Sequence, residues 1–227
     1  MPKMSNSKMV DYTRLSPNNS GKRTMKIDRI TPHCVVGQCS VETLGRIFSS
    51  PGKKASSNYG IGSDGRVGMY VPENERSWCS SSAENDQRAV TIECASETSA
   101  PYEMNRVVYN TLVKLCVDIC KRNGKTVLLW FGDKEKTLNY SPKSNEMVLS
   151  VHRWFACKSC PGDWLYSRLD SLAKTVTCEL STSVKQNNKT YSVQVGKFKN
   201  KQNAEKCITK IKKAGFTNAF ITVTKTK

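Results

Sequence analysis

Two histidines and one cysteine are the residues of this chain best suited to hold a catalytic metal ion. His33 and His152 are the only histidines among the 227 residues, and Cys160 follows His152 within the segment 152–162. A catalytic zinc site takes three protein ligands and leaves a fourth position for water, and two imidazoles with one thiolate satisfy that count. Two histidines alone are equally compatible with structural roles, so the assignment needs further residues.

A Cys157-x-x-Cys160 pair in the same segment admits two other interpretations. Such a pair can contribute half of a structural zinc site, or it can act as a redox pair. A site built from four thiolates would need a second close pair, and Cys34 and Cys39 are a poor fit to that spacing. The structural zinc site is therefore the weaker of the two metal-site interpretations.

The pattern of apolar and turn-forming residues predicts an α/β domain that would position these side chains. Strands are expected over 27–36, 90–94 and 126–130, with a hairpin of 58–61 and 66–71 turning at Ser63-Asp64-Gly65. Helices are expected from Ser40, over 103–122 and over 164–175, whereas 133–148 is polar and expected to be irregular. The predicted architecture is a central mixed sheet flanked by helices.

Composition and charge restrict the class of protein. The formal net charge is +17, and such a field favours a polyanionic partner such as nucleic acid or an anionic cell wall. Apolar content is ordinary, so a packed core is expected. The sequence contains no run of about 18 apolar residues, so no membrane span is predicted. The polar N-terminus lacks the apolar stretch of a secretory signal, so we expect a protein made in the cytoplasm that acts outside it only after release.

The ten cysteines are expected to be mostly reduced. The chain is too long for a disulfide scaffold, and no secretory signal is predicted. Cys116 and Cys120 share a predicted helical face with Leu112 and Ile119, so we expect both thiols to pack as small apolar side chains.

Four ordered motifs resemble the N-acetylmuramoyl-L-alanine amidases of the phage-lysozyme and peptidoglycan-recognition-protein type. They are Ile30-Thr-Pro-His33-Cys-Val-Val-Gly, Asn58-Tyr-Gly-Ile-Gly-Ser-Asp-Gly65, Ala89-Val-Thr-Ile-Glu93, and His152 followed by Lys158-x-Cys160-Pro-Gly. The similarity covers about residues 25–170, and the spacing of His152, Lys158 and Cys160 is its most specific part. In detail the chain is most similar to prophage endolysins of Gram-positive, clostridial bacteria.

This resemblance implies zinc-dependent hydrolysis of the amide between N-acetylmuramic acid and L-alanine in peptidoglycan, and lysis of a bacterial cell. It implies Zn2+ ligands at His33, His152 and Cys160, a catalytic carboxylate at Glu93 and an oxyanion-stabilising cation at Lys158. By pattern alone, Glu93 could be a strand-end surface residue and Lys158 a solvated charge. Members that bind peptidoglycan without cutting it typically lack the thiolate, so Cys160 favours an enzyme over a non-catalytic peptidoglycan-binding protein, the alternative function.

Two segments depart from the family pattern. Ser57-Asn58-Tyr59 stands where relatives often place a Tyr or His helper, so Tyr59 could simply pack in the core. Ser77-Trp78-Cys79 stands where relatives carry glycine, tryptophan and histidine, so Cys79 could line the cleft in place of that histidine. Trp78 could form a sugar-facing wall or belong to the core, and neither departure involves the expected metal ligands.

A separate basic module is predicted at the C-terminus. Residues 181–227 contain eleven lysines against the single acid Glu205. The runs Val193-Gln-Val-Gly-Lys-Phe198, Asn203-Ala-Glu and Lys213-Ala-Gly-Phe216 resemble the SPOR family of peptidoglycan-binding domains. A strand over 191–198, a helix over 203–214 and a strand over 216–223 would supply only half of such a domain. A unit this small buries little surface, so we expect it to pair with a second copy, giving a homo-oligomer.

Nucleic-acid binding is the rival interpretation of this lysine-rich tail, because lysines suit phosphates. The tail has no Arg, and its aromatic residues, Tyr191, Phe198, Phe216 and Phe220, are expected to include core positions. Peptidoglycan is therefore the expected partner, with neither nucleic acid nor membrane. The expected organisation is a polar arm over 1–25 that is partly ordered at best, a zinc amidase domain over 26–179, a linker over 180–189 and a small α+β SPOR-like module over 190–227.

Overall fold

The computed structural model describes residues 6–187 and 193–223. The chain forms two compact units, Met1–Asn187 and Asn188–Lys227. Among the helices of the described ranges, none is long and apolar enough to cross a membrane.

A mixed sheet forms the centre of the first unit. The strands found in residues 6–187 are β1 (Val10–Thr13), β2 (Asn19–Lys22), β3 (Arg29–Cys34), β4 (Tyr59–Ile61), β5 (Val67–Met69), β6 (Glu75–Ser77), β7 (Ala89–Cys94), β8 (Val127–Leu129) and β9 (Glu146–Leu149). The main sheet has the order β1-β5-β4-β7-β3-β9-β8, and β2 pairs separately with β6. The β4–β5 pair is antiparallel and the other neighbours in the main sheet are parallel. The predicted central mixed sheet and the predicted hairpin are both confirmed.

Helices lie between and beside these strands. In the same range they are α1 (Val41–Phe48), α2 (Ala83–Arg88), α3 (Arg106–Arg122), α4 (Lys134–Asn139), α5 (Asp163–Tyr166) and α6 (Leu169–Asn187), with short 3-10 helices at Pro51–Lys53 and His152–Trp154. The side chain of Ser40 accepts a hydrogen bond from the N–H of Thr43, and Asn105 caps α3 in the same way. Each such cap stabilises its helix by about 1 kcal/mol.

Helices cover both faces of the main sheet. Strand β4 shows this directly, because Tyr59 and Ile61 pack in the larger core with α3 and α6. A Cβ on the intervening Gly60 would lie 2.7 Å from the side chains of Leu44 on α1 and Tyr70. Successive strand residues point to opposite faces, so α1 packs on the face opposite to α3. Gly60 is therefore required by the close approach of α1.

Two of the four cysteines in the larger core lie on α3. Cys116 and Cys120 are buried free thiols on α3, as the helical spacing predicted. Leu112, Leu115 and Ile119 complete the buried face, and burial of each such aliphatic side chain contributes about 1.5–3 kcal/mol.

The N-terminal segment differs from the predicted arm over 1–25. Within its described part, β1 pairs parallel with β5 and β2 pairs antiparallel with β6. The hydroxyl of Ser16 donates to the carbonyl of Phe48 at 2.5 Å, and the amide of Asn18 donates to the carbonyl of Ser50 at 2.8 Å. Met9 and Val10 also pack on the larger core, and Tyr12 packs on the smaller one. The two strands are only four residues long, which is too short for a clear apolar period in the sequence.

Two other segments also differ from expectation. Residues 133–148 contain α4 and most of β9, so the expectation of irregular structure is wrong. The sequence pattern gave no sign of α4, because this six-residue helix is mostly exposed and carries no apolar stripe. Residues 180–187 continue α6 instead of forming the start of a linker. The serines and threonines there suggested a linker, but the segment contains no Gly or Pro to stop the helix.

The second unit contains one helix in its described residues, α7 (Lys201–Lys213), capped by the Asn200 side chain. This confirms the predicted helix. The predicted strands are wrong for residues 193–198 and 216–223, which form none, and Tyr191 and Ser192 lie outside the described residues. Val193, Phe198, Phe216 and Phe220 are exposed, because this short unit offers its apolar side chains no sheet to pack in.

Candidate metal centre

Strands β3 and β7 place His33 beside Glu93. The strands run parallel in a register that pairs these two residues, close to the carboxyl ends of both strands, where open α/β sheets bind ligands. The Nδ1 atom of His33 lies 3.9 Å from Oε1 of Glu93, and the side chains are 1% and 16% exposed. A carboxyl group and an imidazole therefore meet in a largely dry environment.

The loop after β9 brings His152 and Cys160 to the same edge of the sheet. Strand β9 pairs parallel with β3, and a 3-10 turn begins at His152. The backbone N–H of Arg153 donates to the carbonyl of Cys160 at 3.0 Å, which closes the loop. The Sγ atom of Cys160 lies 3.3 Å from Nδ1 of His33, and the rings of His33 and His152 are 5.1 Å apart. One ligand atom from each of the three residues lies within 4.8 Å of the others.

Both imidazoles are held in the neutral form. Burial lowers the pKa of His33 to about 3, and the neighbouring His152 adds to that effect. Burial, followed by the charge of Lys158, lowers the pKa of His152. A neutral imidazole keeps a lone pair free, and this is the form that binds a metal ion.

The donor set fits zinc. Zinc prefers tetrahedral sites of imidazole nitrogen and thiolate sulfur. A hydrogen bond with Cys34 and burial both raise the pKa of Cys160, so its thiolate forms when a bound cation displaces the proton. Among the described residues, Nε2 of His33 and Oε2 of Glu93 are buried without a hydrogen-bond partner. Buried polar atoms without a partner are uncommon, and Oε2 of Glu93 fits a site at which a ligand supplies the missing partner.

The pKa of the Glu93 carboxyl group is raised towards neutral pH. Burial raises its pKa to about 7, against smaller opposing effects of the Cys79 thiol and of the charge on Lys53. The Sγ atom of Cys79 lies 3.7 Å from Oε1 of Glu93. A carboxyl group that titrates near neutral pH is suited both to accept a proton and to return it.

A loop clamped by Asp86 forms one wall of the centre. The buried Asp86 carboxylate accepts hydrogen bonds from the backbone N–H of Cys79 and from the N–H and hydroxyl of Ser80. Ser81 then adopts a φ of +63°, and its Oγ lies 3.0 Å from Nε2 of His152. Sequence reasoning assigned no role to Ser81 or Asp86. The sequence around them shows only an aspartate that follows a run of serines, and this pattern is common at the N-termini of helices.

The centre opens into a cleft of about 690 Å³. Lys158 lies on its rim with an exposed side chain, as does Lys53. Trp78 forms part of the wall and is held by an indole N–H bond to the Ser20 hydroxyl at 2.7 Å. Cys79 also lines this cleft.

Tyr59 has no place in the cleft. Its side chain is fully buried, and its hydroxyl donates to Glu73 at 2.7 Å and accepts from the backbone of Ser7. The structure thus gathers His33, Glu93, His152 and Cys160 at one edge and leaves Tyr59 in the core.

Two family models match the chain. A model described as N-acetylmuramoyl-L-alanine amidase matches residues 23–163, and a model described as SPOR domain matches residues 163–227. No curated protein gives a significant match. The second match begins at α5 and includes α6, although Leu172, Val176 and Leu180 of α6 pack in the core of the first unit.

Several solved structures share the fold. A mutant endolysin from Bacillus subtilis is 17% identical with a TM-score of 0.52, and the match covers 74% of this chain and 99% of that chain. The Staphylococcus aureus hydrolase AmiA in complex with its ligand is 10% identical with a TM-score of 0.51, covering 82% and 96%. A selenomethionine derivative of AmpD is 18% identical with a TM-score of 0.50, covering 76% and 99%. At these identities the likeness establishes the fold.

Proposed function

Because this chain belongs to the N-acetylmuramoyl-L-alanine amidase family, we propose that it hydrolyses the amide bond between N-acetylmuramic acid and L-alanine of peptidoglycan in a zinc-dependent reaction. The observation that carries the proposal is the convergence of His33, His152 and Cys160 within 4.8 Å of one another, beside the largely buried Glu93, in an open cleft. An unreactive amide needs both an activated nucleophile and a polarised carbonyl, and this group of residues is equipped to provide both.

His33, His152 and Cys160 would hold the zinc ion. When bound, zinc supplies Lewis-acid polarisation of the scissile carbonyl and lowers the pKa of a coordinated water towards about 7. The neutral state of both imidazoles supports this assignment, because neither ligand has to lose a proton at neutral pH.

Glu93 acts as the general base and then as the general acid. Its Oε2 has no partner among the described residues, so it can accept the proton of the attacking water. The same proton then passes to the leaving nitrogen of L-alanine as the C–N bond breaks, and Glu93 returns to its starting state. A pKa of about 7 lies near the pH at which both transfers are efficient.

Lys158 stabilises the oxyanion of the tetrahedral intermediate. It lies on the cleft rim two positions before Cys160 in the chain, and its charge already acts on His152. A cation placed beside the developing negative charge typically accelerates such a reaction by about 10²–10³-fold.

We further propose that the protein is an endolysin, made in the cytoplasm and active on the wall after release, where it lyses the cell. The motif resemblance to prophage endolysins supports this role. The SPOR domain matched over residues 163–227 would bind the wall and keep the enzyme on its polymeric substrate, and its segment 181–227 has eleven lysines against the single acid Glu205.

A digest of purified peptidoglycan tests the proposed reaction. New N-terminal alanine without new reducing sugar ends is expected, abolished by a zinc chelator and restored by added zinc. New reducing ends would indicate a glycosidase and overturn the assignment of Glu93 and Lys158. Binding without any release from several wall types would instead place the protein among the non-catalytic peptidoglycan-binding proteins.

A further inference from the structure

Beside the expected zinc ligands lies a second group of side chains that is positioned to hold a metal ion. One donor atom each of His33, Cys79 and Glu93 lies within 4.8 Å of the other two. This group has only His33 in common with the expected zinc ligands, and Cys79 and Glu93 line the cleft. The proposed hydrolysis gives Cys79 no role and uses Glu93 as a base instead of a ligand. The three residues therefore form a separate candidate position for a cation.

The spacing of the three donor atoms is close to that of a tetrahedral site. With metal bonds of about 2.0–2.3 Å to nitrogen, oxygen and sulfur, tetrahedral coordination places two ligand atoms about 3.3–3.6 Å apart. Oε1 of Glu93 lies 3.7 Å from Sγ of Cys79 and 3.9 Å from Nδ1 of His33. Ligand atoms at these separations need only small movements to bind one cation.

Glu93 carries a free acceptor atom in a largely buried place. Its side chain is 16% exposed, and its Oε2 is buried and has no hydrogen-bond partner among the described residues. A carboxylate oxygen that is removed from water without a donor carries a cost in free energy. A bound cation would offset that cost.

The backbone around Cys79 holds the thiol in place beside Glu93. The N–H of Cys79 donates to the buried Asp86 carboxylate at 3.0 Å, and the N–H of Ser80 donates to the same carboxylate. The thiol is free and only partly buried, so a cation can reach it from the cleft. A ligand that is already ordered loses little conformational freedom when it binds, and this raises affinity.

The donor set is suited to a soft divalent cation. A thiolate and a carboxylate together balance the two charges of such an ion, and a neutral imidazole completes the set. Binding releases the thiol proton of Cys79 to the solvent. Thiolate ligands favour soft ions, so Cd2+, which is softer than Zn2+, is the suitable probe, and Zn2+ is expected to bind this position less tightly.

We propose that His33, Cys79 and Glu93 form a second metal position, which binds a soft divalent cation and blocks the enzyme. Nδ1 of His33 lies 3.3 Å from Sγ of Cys160 and 3.9 Å from Oε1 of Glu93, and one nitrogen lone pair binds only one ion. A cation in the second position withdraws His33 from the zinc centre and occupies the carboxylate of Glu93. The blocking effect rests on the proposed amidase function, whereas the binding of the cation does not.

Cadmium binding to the full-length protein tests the position without any measurement of activity. Cys160→Ser removes the thiolate of the zinc centre, and competition with a chromogenic chelator then measures the affinity of the metal-free variant for Cd2+. Adding Cys79→Ser is expected to weaken this affinity at least about tenfold and to reduce the ultraviolet absorbance of the cadmium–thiolate bond. Adding Cys157→Ser, at an exposed thiol near Cys160, is the matched control and should change neither. Equal effects of the two additions would overturn the proposal.

A carboxylate variant keeps the test decisive where Cys79→Ser fails to fold. Glu93→Gln retains the size of the side chain but removes its charge. In the Cys160→Ser background it is expected to weaken Cd2+ binding at least about tenfold, whereas Glu97→Gln, at an exposed position, should leave it unchanged. Cadmium affinity that is insensitive to Glu93→Gln would refute the second position.

Inhibition tests the consequence for the enzyme. The release of N-terminal alanine by zinc-loaded protein is measured against added Cd2+, with each variant compared with its own cadmium-free rate. Half inhibition of Cys79→Ser is expected to need about tenfold more Cd2+ than that of the wild type, in proportion to the lost affinity. Equal sensitivity of the two would refute the blocking role. Protein that binds Cd2+ through Cys79 but releases no alanine without Cd2+ would refute the amidase reaction and the blocking role, but not the metal position.

Discussion

The hydroxyl of Ser81 lies 3.0 Å from Nε2 of His152, and Ser81 reaches it from a left-handed backbone conformation with φ of +63°. A non-glycine residue in that conformation costs about 1 kcal/mol or more. Three hydrogen bonds from Cys79 and Ser80 to the Asp86 carboxylate hold the loop there. The hydrogen bond orients the His152 ring, which is the usual role of an outer partner of a ligating histidine.

Ser81→Gly separates this contact from backbone strain. Glycine tolerates the positive φ, so the melting temperature should hold or rise, while loss of the hydroxyl should weaken zinc affinity by about tenfold or more. Competition with a chromogenic chelator measures that affinity. Lys54→Gly is the matched control, because Lys54 also has a positive φ of +50° on the rim of the same cleft. Equal zinc affinity in Ser81→Gly and the wild type would refute the positioning role.

Glu93 should make the stability of the metal-free protein depend on pH. Its pKa is about 7 in the folded chain, against 4.5 for the ordinary group. Between those values the folded chain keeps a proton that the unfolded chain releases, so the free energy of unfolding falls as pH rises, by up to about 1.4 kcal/mol per pH unit. Glu93→Gln removes this contribution, and its stability relative to the wild type should therefore increase from pH 4.5 to 7.

Urea unfolding in the presence of a chelator measures that difference. Glu97→Gln, at an exposed position shortly after the same strand, is the control. Its free energy of unfolding should differ from that of the wild type by a constant amount across the pH range. Parallel curves for Glu93→Gln would contradict the burial effect on which the general-base assignment depends.

Lys158→Ala should impair turnover without loss of metal. If the ammonium stabilises the oxyanion, kcat falls by about 10²–10³-fold while zinc content stays at the wild-type level. Lys174→Ala is the control, because Lys174 is an exposed lysine on α6 that pairs with Asp170. An unchanged kcat for Lys158→Ala would reduce this residue to a solvated rim charge.

The second unit should associate with another copy. Phe216 and Phe220 are 68% and 77% exposed, which is unusual for large apolar side chains in a folded unit and suits surfaces that become covered. Light scattering of the full-length protein is expected to give a mass above 25.4 kDa, and Phe216→Ser should lower it. A monomeric mass at every concentration would contradict the pairing.

Much of the fold could be predicted from the sequence alone, because the signals for these elements are local. The Ser63-Asp64-Gly65 turn predicted the β4–β5 hairpin, and the periodic spacing around Cys116 and Cys120 predicted α3. The N-terminal strands could not be anticipated, because each is only four residues long and the segment between them is held by hydrogen bonds from Ser16 and Asn18 to the distant residues Phe48 and Ser50. Such long-range polar contacts leave no periodic pattern.

Only some residues of the candidate site could be predicted from the sequence. The motifs pointed to His33, Glu93, His152 and Cys160, and the β3–β7 register explains why the first two meet. Ser81 could not be found in this way, since its importance depends on one specific contact with His152. Burial and hydrogen-bond partners are properties of the folded chain.

The most direct test of the account compares Cys160→Ser with Cys157→Ser in the release of N-terminal alanine from purified walls, after equal exposure to zinc. The two thiols belong to one loop, but only Cys160 faces the histidines, at 3.3 Å from His33, while Cys157 is exposed. The account predicts wild-type release by Cys157→Ser and a loss of at least about 100-fold in Cys160→Ser, with loss of bound zinc. Equal release by the two variants would contradict the zinc centre and the mechanism built on it.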